Sequence, residues 1–516
     1  NIEKDVIWGN RYAVCGIPEL IPRLLQTGDF TKHDHLIEIN KVLENADLMQ
    51  PIEALQLLTG DFLHEEVRRY AVKCLRKFDH YRLEEFLLQL VQALKYEPYH
   101  FSDLAEMLLS LAVKSPATFG HSLFWSLKSE MENITIQQRY GLLLEVFLSK
   151  VGKNFCKYLE QEIWLVNNLL IIADIPFELT FKKSKDIQEE MVDKYRLALK
   201  DLNSKMKASG RLIPLPTNFK HFAKGIIPEK CKVMKSKKKP LSLCLELCND
   251  EFTTENEQVM FKKGDDLRQD SLTLQLFKVM KSMWYEKGYN LNMSLYPVVS
   301  TGYFQGIMEM VKHSETLATI HKIYGGATAA FSRENLKKWF EANVSLGEKE
   351  YIRNFKLSCA AYCVATFVLG IGDRHNDNIM VKKNGELFHI DFGHFLGHFK
   401  YKYGIKRERA PFVFTREFKK VLGGKKSEDY KEFKSICLNI YKILRQNVVI
   451  LVSLLRMMVC TNIPELFEES IGFLQYSLGL NFTKEEDVEK FFEEKFTESL
   501  YSFSTKLMFA IHVMAN

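Results

Sequence analysis

A chain of 516 residues is too long for one hydrophobic core, so two or more domains are expected. With 46% hydrophobic and 26% charged residues, and only 13 Pro and 26 Gly, the composition excludes a disordered or fibrous protein. A net charge of +6 permits attraction to an anionic partner but does not choose nucleic acid over membrane. The ten cysteines run from Cys15 to Cys460. Two CxxxC pairs, Cys244/Cys248 and Cys359/Cys363, have no histidine cluster nearby to complete a zinc site, so reduced thiols of a cytosolic protein are expected. The longest apolar run, Val448 to Cys460, is broken by Arg456 and is too short to cross a bilayer, so any membrane role is at the surface. The chain begins with Asn1 rather than Met and reads as an excerpt.

Residues 1 to about 180 read as helix after helix. Leu83, Phe86, Leu87, Leu90, Val91 and Leu94 recur at helical spacing, and similar stripes occupy Pro51–Leu58, Glu65–Leu75, Ser102–Val113 and Tyr140–Leu148. Gly60-Asp61, Glu97-Pro98 and Ser115-Pro116 separate them, while Pro51 and Ser102 suit helix starts. Short helices that each carry one apolar stripe suggest a small α-solenoid over 1–190. This region shows no catalytic constellation, so it reads as scaffold. The charged stretch near Phe181–Arg211 and the loop-like Ile213–Phe219 predict a linker over 191–215. Strand-like pieces follow at Ser242–Cys248, Glu257–Lys263 and Leu291–Thr301, and helices dominate after about Glu315. The fold class is therefore α+β: an all-α solenoid, then a two-lobed kinase-like domain over 216–516. Its β-rich lobe is expected at about 216–311 and its helical lobe at about 312–516, with room for ATP between such lobes.

The strongest chemical signal is Gly370–Met380, GIGDRHNDNIM, followed by His389–His394, HIDFGH. Phosphoryl transfer needs ions that neutralise phosphate charge and a group to take the nucleophile's proton. Asp373 and Asn378 reproduce the D-x-x-x-x-N spacing of protein kinases, and Asp391-Phe392-Gly393 follows. Asn378 and Asp391 are hard oxygen donors suited to Mg²⁺. The order Asp-Arg-His, rather than His-Arg-Asp, sets His375 two residues beyond the usual Asp, as a general base for an alcohol. His394 reads either as catalytic support or as loop packing.

Gly264–Asp270 (GDDLRQD), Gly372–Asn378 (GDRHNDN) and HIDFGH together resemble the phosphoinositide 3-kinase family, and PIEALQLL, EVRRYAVKCL and LLQLVQALKYEPYH resemble its accessory helical domain. The His after DFG, in HIDFGHFLGH, resembles class I members in particular. The resemblance implies a lipid kinase using ATP and Mg²⁺, with Arg374 grouped with Asp373, His375 and His394 as catalytic. It implies that Met234–Pro240 covers the ATP phosphates through Ser236 and Lys238 and that Lys262 contacts them. By the same match, Asp270 and Tyr296 line the back of the adenine pocket, and the backbones of Glu309 and Val311 form the hinge.

After DFG, Lys400, Lys402, Lys406, Arg407 and Arg409 form two basic clusters. Their type suits inositol phosphates, and the clusters resemble the class I loop that accommodates phosphatidylinositol 4,5-bisphosphate. The implied partners are a phosphoinositide at the membrane surface, with a regulatory adapter and a Ras-like GTPase acting through regions outside this chain, and no nucleic acid. The implied location is cytoplasmic, with peripheral recruitment to the plasma membrane. Two departures stand out. Ser242 occupies the place of a pocket-wall Trp, which predicts a wider pocket and weak binding of inhibitors that stack there. The tail, Leu500–Asn516, has Phe503 and Phe509 where relatives carry Trp, and Leu507, Phe509, Ala510 and Ile511 suit either a membrane-surface helix or core packing. Rival readings are a protein Ser/Thr kinase of the related family and a catalytically dead helical scaffold.

Overall fold

The computed structural model describes the chain except residues 1, 179–184, 235, 237, 249–253, 326–333, 345–346, 400, 403–404, 407–409 and 502–516, and omits side chains at 176–178, 185–190, 254, 325, 401–402 and 405–406. Two compact units emerge. The first comprises Asn1–Arg268, Pro297–Met310 and Val449–Thr461; the second comprises Gln269–Tyr296, Val311–Val448 and Asn462–Asn516.

The first unit opens with short helices. Glu65–Leu75 buries Val67, Tyr70, Ala71, Cys74 and Leu75, and Asp103–Lys114 is capped by Ser102, whose Oγ accepts the Ala105 N–H at 3.3 Å. Two expected helices are broken instead of continuous. Pro51–Ala54 passes into a tighter turn at Leu55–Leu58, and the Leu83–Leu94 stripe is divided between His80–Glu84 and Leu87–Ala93. At the second break, Phe86 N–H bonds to Leu83 C=O at 3.0 Å, the three-residue spacing of a tightened turn.

The expected linker of 191–215 is occupied by the end of helix Lys185–Ser209 and by β1 (Ile213–Leu215). Polarity hides a single buried stripe there: Tyr195, Leu199, Leu202 and Met206 recur at helical spacing. The sheet adds β2 (Asn218–Ile226), β3 (Lys232–Val233), β4 (Leu241–Cys248), β5 (Thr254–Lys263), β6 (Val298–Gly302) and β7 (Gln305–Glu309). Its order is β1-β2-β4-β5-β7-β6, antiparallel throughout, with β3 paired to β4.

The second unit is built around helix Glu348–Val368, which is buried on nearly every side from Phe355 to Val368. Its hydroxyls turn inward harmlessly: Thr366 Oγ1 donates to Tyr362 C=O at 2.6 Å and Ser358 Oγ to Asn354 C=O at 2.8 Å. A three-stranded sheet, β8 (Ser314–Thr316), β9 (Ile379–Lys382) and β10 (Leu387–His389), lies in the order β10-β9-β8. No single helix among the described residues is long and apolar enough to cross a membrane.

Candidate functional site

In the second unit the chemistry-bearing residues gather where the buried helix ends. Gly370 N–H bonds to Phe367 C=O at 3.1 Å and Ile371 N–H to Thr366 C=O at 2.9 Å, the paired bonds of a left-handed helix cap. Gly370 has φ +54°, and a Cβ there would lie 2.4 Å from Phe473 Cε1, so the turn requires glycine. The chain then runs against the segment that follows Phe392. Gly372 N–H bonds to His394 C=O at 2.9 Å, and Leu396 N–H to Leu369 C=O at 2.7 Å. The β9–β10 hairpin adds a second constraint: Ile379 faces His389, and Ile390 N–H bonds to Asn378 C=O at 3.1 Å. Asn378 and Asp391 therefore leave the open end of one hairpin as neighbours.

Asp373 and Asp391 both hold positive φ, 57° and 59°. Non-glycine residues stay there only where their surroundings insist. Arg374 is 4% exposed, and its guanidinium supplies that insistence. Nε donates to Gly372 C=O at 2.8 Å and Nη1 to Ile390 C=O at 2.7 Å; Nη2 donates to Asp391 C=O, and the cation lies 5.5 Å from the Phe392 ring. Both polar groups of the Phe392 backbone are held as well: its N–H donates to Asp270 Oδ1 at 3.1 Å, and its C=O accepts from Gln269 Nε2 at 2.8 Å. Burial, then the charges of Asp270 and Asp391, push the Tyr296 phenol well above its ordinary value, so it is neutral. His389, stacked on Tyr362 at 5.1 Å, is held well below the usual histidine range by burial and then by Arg374, so it too is neutral.

The first unit carries the other set. Lys262, 9% exposed, faces Gly306 across β5 and β7. The β3–β4 connection closes through Met234 N–H to Pro240 C=O at 2.9 Å and Lys239 N–H to Ser236 C=O at 3.1 Å. Lys238 Nζ donates to Gly264 C=O and lies 3.6 Å from Asp265. Arg268 pairs with Asp266 through Nε at 2.9 Å and Nη2 at 2.7 Å, and its Nη1 reaches Glu130 at 3.0 Å and Thr461 C=O at 3.2 Å. Burial works against this guanidinium, but Asp266 and Glu130 outweigh it and raise its pKa.

Residues 256–468 match the phosphatidylinositol 3- and 4-kinase family, and residues 1–160 match the phosphoinositide 3-kinase family accessory domain (PIK domain). The chain is 39% identical over 494 residues to phosphatidylinositol 3-kinase 2 of Dictyostelium discoideum, covering 95% of this chain and 26% of that protein. It is 40% identical over 515 residues to phosphatidylinositol 3-kinase 1 of the same organism, covering 99% and 32%. The chain belongs to the phosphoinositide 3-kinase family. It spans about a quarter to a third of the length of these relatives. The kinase domain implies ATP as phosphoryl donor.

The second unit brings Asp373, Arg374, His375, Asn378, Asp391 and His394 into one pair of bonded loops. Arg374, grouped with the catalytic residues by motif, is engaged by backbone and positions Asp391. Asp270 holds the DFG backbone. Val311 C=O accepts from Ser314 Oγ at 2.7 Å, and Glu309 N–H donates to Pro297 C=O at 3.1 Å. Ser242 is 1% exposed, its Oγ 3.8 Å from Met310 Sδ, so an indole there must displace that thioether rather than fill open space. Lys402 and Lys406 sit in the two-residue strands β11 (Tyr401–Lys402) and β12 (Ile405–Lys406), which pair Tyr401 with Lys406 and Lys402 with Ile405. Lys400, Arg407 and Arg409, and the tail from 502 on with Phe503, Lys506, Leu507, Phe509, Ala510 and Ile511, lie outside the described residues.

Sequence reasoning missed two supports. Glu465 accepts from His394 Nδ1 at 2.5 Å through Oε1 and from Phe395 N–H at 2.7 Å through Oε2, which fixes a proton on Nδ1 and orients the ring. Behind the Asp373–Asn378 loop, Asn376 Nδ2 donates to His321 Nδ1 at 3.1 Å and His321 Nε2 to Glu417 Oε2 at 2.9 Å; Glu417 Oε1 accepts the Leu336 N–H at 2.8 Å. All three side chains are buried. No spacing rule marks either arrangement.

Proposed function

We propose that this chain is the catalytic core of a phosphatidylinositol 3-kinase that transfers the γ-phosphate of ATP to the 3-hydroxyl of phosphatidylinositol 4,5-bisphosphate at the cytoplasmic surface of the plasma membrane. The observation that carries it is the bonded pair of loops holding Asp373–Asn378 against Asp391–His394, with Arg374 joining them. The relatives, which are phosphatidylinositol 3-kinases by name, support the 3-kinase reading, and the two basic clusters of the sequence support the bisphosphate. A regulatory adapter and a Ras-like GTPase belong to this reading as partners of other regions.

The donor set fits Mg²⁺. Asn378 Nδ2 is tied to Asp373 C=O at 3.0 Å, which presents Oδ1 to a ligand, and the exposed Asp391 carboxylate accepts no hydrogen bond among the described residues. One amide oxygen and one carboxylate suit an ion that takes its remaining ligands from phosphates and water. When bound, Mg²⁺ neutralises phosphate charge. His375, in the loop fixed by Arg374 and Asn376, accepts the proton of the attacking hydroxyl. Asp373 shapes that loop through its carbonyl, and Lys262 and Lys238 steady the phosphates. The chemistry is then mainly positioning and charge neutralisation.

The test is radiolabelled ATP turnover on vesicles carrying phosphatidylinositol, its 4-phosphate or its 4,5-bisphosphate, with the labelled position read by chromatography. Label at the 3-position of the bisphosphate is expected. Neutralising Lys400, Lys402, Arg407 and Arg409 should then remove bisphosphate turnover and spare basal ATPase. Label only on unphosphorylated lipid refutes the substrate assignment, and label only on protein refutes the lipid kinase.

A further inference from the structure

Away from the catalytic loops, the second unit contains a cavity of 610 Å³ lined by Lys337, Arg416, Lys419 and Lys420, with no carboxylate among its lining residues. We propose that this cavity binds a small anion carrying two or more phosphate groups. The volume lies in the range of small-molecule sites, and the four cations come from two helices, Asn335–Asn343 and Arg416–Val421.

These cations are held in place. Thr415 Oγ1 accepts the Phe418 N–H at 3.2 Å at the start of helix Arg416–Val421. Glu417, on its buried side, is fixed by His321 and by the Leu336 N–H. Gly423 N–H to Lys420 C=O at 3.0 Å and Gly424 N–H to Lys419 C=O at 2.9 Å cap the carbonyl end, so its partial negative charge is satisfied before an anion arrives. The Arg416 guanidinium lies 5.8 Å from the Tyr501 ring and the Lys419 ammonium 5.2 Å from the Tyr430 ring. Neither meets a carboxylate among the described residues.

Lys420 pairs with Glu334, and Lys337 lies 3.5 Å from Glu348 and 3.8 Å from Glu341. Those carboxylates are 51–63% exposed, and loose surface pairs of this kind exchange readily for a stronger anion. A single carboxylate ligand would leave most of the cationic charge uncompensated. Several phosphates match it, and the planar fork of Arg416 suits a phosphate in particular. At Gly424 an added Cβ would meet nothing within 4 Å, so the wall there is open to a ligand.

The experiment titrates inositol 1,4,5-trisphosphate into the full chain by calorimetry without ATP, beside sedimentation with phosphatidylcholine vesicles with and without phosphatidylinositol 4,5-bisphosphate. Three variants are compared: Arg416→Gln with Lys419→Gln; Lys337→Gln alone, on the other helix; and Lys402→Gln with Lys406→Gln in the loop after DFG. Trisphosphate affinity should fall at least tenfold in the first variant and measurably in the second, with melting temperature and basal ATPase unchanged, and a site should survive in the third. Loss of vesicle binding in the first variant makes a membrane headgroup the source, whereas loss of soluble binding alone makes it a free inositol phosphate. Binding that survives both cavity variants and vanishes in the loop variant overturns the proposal, as does no binding by the parent chain. Calorimetry reads the cavity whether or not the chain turns over lipid, so failure of the kinase reading is distinguishable.

Discussion

Replacing Glu465 tests whether His394 works as an oriented group or merely packs. Glu465 makes two bonds with one carboxylate, to His394 Nδ1 at 2.5 Å and to Phe395 N–H at 2.7 Å. Hydrogen bonds involving a charged partner contribute about 1.5–3 kcal/mol each, so Glu465→Ala should cost the local structure roughly 3–6 kcal/mol. Glu465→Gln is the sharper probe, because one amide oxygen can serve only one of the two donors. Its loss should then be about half, on the order of 1.5–3 kcal/mol. If that loss appears in the transition state, kcat falls roughly 10- to 150-fold. The assay is steady-state lipid phosphorylation on bisphosphate vesicles, with kcat and the KM for ATP determined separately and the melting temperature measured alongside. The expected result is a lower kcat, a KM for ATP within a factor of two or so, and partial rescue by Glu465→Asp. A Glu465→Gln enzyme that folds normally and keeps the parental kcat would refute the reasoning and return His394 to loop packing.

Further outcomes follow from other residues. His375→Ala should abolish lipid phosphorylation while nucleotide binding, read by calorimetry, stays near parental; loss of nucleotide binding would make the residue structural. Glu130 joins Gln92 at 3.1 Å, Lys95 at 3.3 Å and Arg268 at 3.0 Å, and Glu130→Ala should destabilise the first unit by about 3 kcal/mol in denaturant unfolding. An unchanged midpoint would show that Asp266 alone suffices for Arg268. Burial raises the pKa of Glu162 above its ordinary 4.5 despite the nearby His121 and Trp125. The folded state thus binds the proton more tightly than the unfolded one, and the stability from this group is lost as pH rises from about 4.5 through the raised value. Glu162→Gln should flatten that part of the stability profile, and an unaltered pH slope would count against the assignment.

The two loops were legible because their chemistry is local in sequence: Asp373, Asn378 and Asp391 follow a spacing that phosphoryl transfer imposes. The stripe of helix Lys185–Ser209 was missed because its many charged residues lower the average hydrophobicity without changing the period of the buried positions. The breaks near Leu55 and Phe86 were missed because tightened turns leave the apolar pattern intact. Glu465, 71 residues from His394, and Glu130, 138 residues from Arg268, were invisible for another reason. A single carboxylate acquires its role only from the partner that folding delivers. The same holds for His321 and Glu417, which are 96 residues apart and carry no motif.

The motif residues themselves divide once their polar atoms are followed. Arg374 and Asp270 are engaged by backbone, whereas the Asp391 carboxylate is exposed and the buried Asn378 bonds through Nδ2 to the Asp373 C=O. A left-handed conformation at an aspartate costs on the order of 1–3 kcal/mol. The three carbonyls held by Arg374 are each worth about 1.5–3 kcal/mol, and the bonds from Gln269 and Asp270 to Phe392 add to that. The bonding exceeds the strain, so Asp391 is held in a conformation it would not choose alone. In the metal-binding role proposed above, an Asp391 fixed in advance would lose little freedom on taking up the ion. The arginine of the DRH triplet thus acts on the aspartate of the DFG triplet, which is why two motifs separated in sequence behave as one site.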